Sequence, residues 1–211
     1  MEKKVIMKFK FNLFLILLLY SFNAFAQNKV GNGGDVVTCN NKSPELLDFY
    51  ENPSDLLQTS LSSYQEIILN RLNTLEKISL KLATQYKQRY TNIENEIDFK
   101  ENISLSDIKD SAHLFLPKSS DCRLQQIAIR KSISTSKEKL FIFDQQLWKK
   151  LNALNKAGLI FHEIIYEHLI KLGDVDSTKA RKINNYLFNK NLNKADFWKL
   201  IRELKVPIYP D

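Results

Sequence analysis

Apolar residues recur along this chain at helical spacing over long intervals, and one segment departs from that pattern by being apolar nearly all round. Within the stretch 157–186, residues 159–172 carry Leu159, Ile160, Phe161, Ile164, Ile165, Tyr166, Leu169, Ile170 and Leu172, with His162 and Glu163 in their midst. Fourteen residues without Gly or Pro, closed by Gly173, predict a helix. A helix with so little polar face belongs in the interior, which places His162 and Glu163 out of bulk water. A buried carboxylate must be paired, hydrogen-bonded or protonated, so something is expected to face Glu163.

The other elements follow from the same reading. Residues 36–39 predict a short strand, and Ser43-Pro44-Glu45 predicts a helix start with Ser43 as N-cap, leading into Leu46, Leu47, Phe49 and Tyr50. Between residues 54 and 116 there is neither Gly nor Pro. Leu57, Leu61, Tyr64, Ile68, Leu72, Leu75, Leu82, Tyr86, Ile93 and Ile97 predict one long helix there, or two with a kink. Strands are expected in the later half of residues 123–130 and over 140–143, joined as a hairpin through the polar residues 132–139. Helices are expected around Trp148, over 179–188 behind an Asp176-Ser177-Thr178 cap, and over 194–204. The tail 206–210, with Pro207 and Pro210, is not helical.

The start of the chain changes the picture. Lys3, Lys4, Lys8 and Lys10 precede the apolar run 11–22, and Ala24-Phe25-Ala26 follows, so residues 1–26 read as a secretory signal cut before Gln27. Loss of four lysines and Glu2 would lower the formal charge from +7 to +4. With no basic stripe or recognisable module, nucleic acid is not an expected partner. No stable membrane anchor is expected after cleavage, and the location is periplasmic or secreted. Residues 27–211 would then form a single α-rich α+β domain, predominantly helical, with a small antiparallel sheet packed on the buried helix. Cys39 and Cys122 are an isolated pair with no metal-knuckle spacing, which in an exported chain predicts a disulfide that brings the strand at 36–39 beside the hairpin.

Three chemistries suit the central helix. His162-Glu163 has the first half of a zincin motif, with His162 as metal ligand and Glu163 as general base, and zinc would be the cofactor. Tyr166, however, stands where the second His belongs, and His168 lies about 120° round the helix. Alternatively, Glu163 is the raised-pKa acid of a glycan-cleaving hydrolase, with Tyr166 one turn on holding substrate. In the third reading the pair is an internal tie, Glu163 to Arg181 or Lys179 and His162 to a backbone carbonyl of the glycine-rich start. His113, beside apolar neighbours, reads as a packed residue.

Three of the five glycines lie in Gly31-Asn32-Gly33-Gly34-Asp35. The site is therefore expected where that loop, the first turns of the central helix and the Asp176 cap converge. His162, Glu163 and Tyr166 would be catalytic residues if there is catalysis, and Asn32, Asp35, Asp176, Ser177 and Arg181 the binding groups. The function read from this is a periplasmic binding or interaction module directed at an envelope component or protein, with a zincin-like or glycan-cleaving hydrolase as the alternative.

Together, Gly31-Asn32-Gly33-Gly34-Asp35-Val36-Val37 with Cys39, Glu45-Leu46-Leu47-Asp48, the run from Cys122 to Ala128, His162-Glu163 with Tyr166, and Asp176-Ser177 resemble a set of small exported bacterial proteins of unknown function. The resemblance implies that the glycine-rich start and the His-Glu-x-x-Tyr helix belong to one unit. It implies no activity.

Overall fold

A computed structural model describes residues 31–32, 34–103, 105, 117, 119–131 and 139–211. Residues 1–30, which include the segment read as a secretory signal, Gly33, His113 and most of the hairpin turn lie outside the described residues. The described part is α+β and mostly helical, with seven α-helices and two small sheets.

The glycine-rich start gives β1 (Gly31–Asn32), followed by β2 (Asp35–Cys39) and β3 (Glu45–Leu46). The helix expected from Ser43 begins later and is shorter: α1 is Leu47–Tyr50, entered from the strand through Leu46 with no side-chain cap. The long helical interval divides into α2 (Tyr64–Glu76) and α3 (Leu80–Ile93). The break needs no Gly or Pro, because Ser79 turns extended and its hydroxyl accepts the Leu82 N–H, capping a new helix.

Past α3 the helical pattern was expected to continue, but β4 (Ile97–Lys100) forms instead and pairs in parallel with β7 (Phe141–Asp144). Between them in sequence lie β5 (Cys122–Gln126) and β6 (Ala128–Arg130). The predicted hairpin is present, with Ala128 opposite Phe143 and Arg130 opposite Phe141. The expected single antiparallel sheet is one of two. A three-stranded antiparallel sheet has the order β3-β2-β5, and a four-stranded mixed sheet has the order β1-β6-β7-β4. Cys39 and Cys122 face each other across β2 and β5 and form the disulfide.

Four helices complete the chain: α4 (Gln145–Lys150), α5 (Ala153–Lys171), α6 (Thr178–Leu187) and α7 (Lys194–Glu203). The central helix, α5, starts six residues before the predicted run, where Asn152 accepts the Asn155 N–H, and ends before Gly173 at φ 98°. It packs against α2, α3 and α6. Leu159, Phe161, Ile165 and Leu169 are wholly buried in one hydrophobic cluster that also takes in strands of both sheets. Each such side chain contributes about 1.5–3 kcal/mol, so the helix is fixed by burial on all sides rather than by one face. Among the described residues no helix is long and apolar enough to cross a membrane.

Candidate functional site

His162 is 1 % exposed and Glu163 0 %. The apolar run thus encloses both, and each has found a partner far away in sequence. His162 Nδ1 lies 2.9 Å from Asp48 Oδ2, and Asp48 on α1 is itself buried. Asn184 on α6 donates from Nδ2 to the same carboxylate oxygen at 2.6 Å and to the Gly158 carbonyl at 2.9 Å. Three helices are therefore joined through one carboxylate oxygen.

Glu163 Oε1 accepts the backbone N–H of Gly34 at 2.8 Å. Close approach is what makes glycine necessary here, since a Cβ on Gly34 would stand 2.1 Å from Leu159 Cδ1. The Gly34 carbonyl in turn accepts from Ile127 and Ala128, which holds the incoming chain between the two sheets. Gly158 plays a similar part on the other side of α5, where a Cβ would come within 2.4 Å of Phe49 Cζ. The loss of that atom lets α1 lie against the helix, and Leu46 N–H then reaches Asn155 Oδ1 at 2.7 Å.

The internal ties differ from those the sequence suggests. Glu163 meets the Gly34 amide rather than Arg181 or Lys179, and His162 meets Asp48 rather than a backbone carbonyl. Arg181 Nε is 3.3 Å from Glu51 Oε2, an ion pair without hydrogen-bond alignment, and Lys179 pairs with Asp174. The expected cap of α6 is supplied by Asp176, whose carboxylate accepts the Thr178 N–H, whereas the buried Ser177 occupies the N-cap position and its hydroxyl makes no capping bond to the helix. Tyr166 is 2 % exposed with its ring 6.0 Å from that of His162. Asp35 is buried on β2 opposite Gln126, and the Asn32 backbone pairs with Ile129. His168 points elsewhere, as its six-residue offset requires, and meets the Tyr86 hydroxyl.

Electrostatics set the protonation states. Burial by itself would lower the His162 pKa, but the adjacent Asp48 charge and hydrogen bond, with Glu163 nearby, more than offset this and raise it to about 9. The direction of the shift favours the protonated imidazole, which is a poor general base. Burial raises the Glu163 pKa, and the opposing influence of His162, the Gly34 amide and Arg130 on β6 does not cancel it. Among the described residues, Glu163 Oε2, His162 Nε2, Asp48 Oδ1 and Asn184 Oδ1 have no hydrogen-bond partner.

A zinc reading needs three or four ligands around one point. Among the described residues no three His, Cys, Asp or Glu side chains gather closely enough to hold a metal ion, and His162 Nδ1 is already committed to Asp48. Nor does the cavity beside the disulfide reach the pair. That space, about 910 Å³, lies between Thr38, Lys42, Arg123, Gln125, Gln146 and Lys150.

Three partners were missing from the sequence reading: Asp48, Asn184 and Glu51. Asp48 left a signal, being one carboxylate inside Leu46-Leu47-Asp48-Phe49-Tyr50, where an unpaired charge would be costly. Compared with protein families, with curated proteins and with solved structures, the chain matches none.

Proposed function

We propose that this is an exported binding or interaction module, periplasmic or secreted, in which the His162–Glu163 pair is an internal tie rather than a reaction centre. One observation carries the reading: both side chains are enclosed, at 1 % and 0 % exposure, and each is held by a group of the fold itself, Asp48 and the Gly34 amide. A group that must meet substrate needs a path to it, and a base must be free of its proton at working pH. Neither condition supports catalysis here. The disulfide and the signal-like start support export.

The outer surface would then make the contacts with an envelope component. The resemblance to small exported bacterial proteins supports the same setting, with the glycine-rich start built into the unit through Gly34.

A hydrolase acting on envelope glycan or peptide is the second reading. It is favoured by an Asp-oriented imidazole whose Nε2 is unpartnered beside an acid whose Oε2 is unpartnered. Incubation of the protein with purified cell-wall glycan and with its cross-linking peptides separates the two. The internal tie predicts no release of fragments and a lowered melting temperature for Glu163→Gln. Cleavage that Glu163→Gln abolishes without moving the melting temperature would replace the tie with the hydrolase.

A further inference from the structure

Away from the His162 cluster, the end of the chain lies back across α3 and α5. The tail leaves α7 through Lys205, a left-handed residue at φ 52°, and the Val206 N–H closes the helix onto the Ile201 carbonyl. Val206 is buried, but beyond it Ile208 is only partly buried against the core and Tyr209 is 76 % exposed, so one partial apolar contact holds the segment there. Its tip is held by hydrogen bonds to the Asp211 carboxylate. Asp211 Oδ1 accepts the Ser79 hydroxyl at 2.8 Å and Oδ2 accepts the Lys81 N–H at 2.9 Å, at the start of α3.

Between these two attachments the tail is one wall of a cavity of about 240 Å³, whose other wall is Leu82, Gln85 and His168. A second cavity of about 260 Å³ continues along α3 and α5 from the same Gln85 and His168 to Arg89 and Glu167. His168 stands where the two meet, with its Nδ1 3.2 Å from the hydroxyl of the fully buried Tyr86.

We propose that residues 207–211 are a strap that closes the α3–α5 groove over His168 and that the Asp211 carboxylate is its catch. With the catch released, the two cavities become one open groove with the imidazole at its centre. The strap is a low-stability element of the kind that opens locally while the core stays folded: a charged contact in water at one end and few buried groups along its length.

Diethyl pyrocarbonate, which acylates accessible neutral imidazole, tests this on the full chain, with modification followed at each histidine by mass spectrometry. Asp211→Asn and Asp211→Ala should raise the rate at His168 about fivefold or more over wild type, with His162 unreactive throughout. A His168 rate equal to wild type in both variants overturns the proposal. Reaction of His162 in step with His168 overturns it too, since the core rather than the strap would then be opening.

Discussion

Asp48 Oδ2 lies 2.9 Å from His162 Nδ1 although 114 residues separate them, and both side chains are out of solvent. Two opposite charges so enclosed are worth little as a pair, but either one alone is expensive. Asp48→Ala strands a buried imidazolium and should lower stability by about 3–5 kcal/mol in chemical denaturation. Asp48→Asn keeps the shape and an acceptor, and should cost less.

The pair makes stability depend on pH. The folded pKa of His162, about 9, lies above its ordinary 6.5, so the proton is bound more tightly in the folded chain. The stabilisation is fully present below about pH 6.5 and is lost as pH rises through about 9; a shift of that size is on the order of 3 kcal/mol. Glu163, raised from 4.5 by burial, acts in the same sense from about pH 4.5 upward. The melting temperature should therefore fall between pH 7 and 10. His162→Gln should flatten that slope, and a slope unchanged by the substitution would be the wrong result.

Glu163→Ala removes the acceptor of the Gly34 amide and should cost about 3 kcal/mol, combining an unmet donor with a small void. Glu163→Gln retains an oxygen for that N–H and should cost about 1 kcal/mol. Amide hydrogen exchange at Gly34 offers a local check, with protection lost in the first variant and retained in the second.

Gly158→Ala should destabilise by about 1–3 kcal/mol, although alanine is the better helix former by about 1 kcal/mol. The new methyl would meet the Phe49 ring at 2.4 Å and push α1, with Asp48, off α5. Calorimetry decides the sign, and a raised melting temperature would mean that α1 does not pack here as described.

Reducing the Cys39–Cys122 bond reopens a loop spanning 83 residues, which on the chain-entropy view lowers stability by about 4 kcal/mol. Comparing the urea midpoints of the oxidised protein and of a Cys39→Ser/Cys122→Ser variant measures it.

Much of this architecture can be read from local pattern. The strand ending at Cys39, the hairpin of Ala128 and Phe143, the disulfide, and the end of α5 at Gly173 all follow from spacing, breakers and residue type. Enclosure of His162 and Glu163 follows from the apolar run around them. Their partners do not, because Asp48 and Gly34 meet α5 across more than 100 residues, a relation with no period in one sequence. β4 was hidden for a related reason: Ile93 and Ile97 keep helical spacing, and the parallel pairing with β7 that makes a strand of Ile97 is tertiary. The separation of α2 from α3 had a readable mark in Ser79, whose hydroxyl caps the second helix.

A double-mutant cycle on Asp48 and His162 tests the internal tie most directly. With Asp48→Ala, His162→Ala and the double variant unfolded in urea, the two sites should show a coupling of about 2–3 kcal/mol, the double variant being far less damaged than the sum of the singles. Additive losses, with no coupling between them, would mean that this carboxylate and this imidazole do not hold α1 to α5, and the account built on their pairing would be wrong.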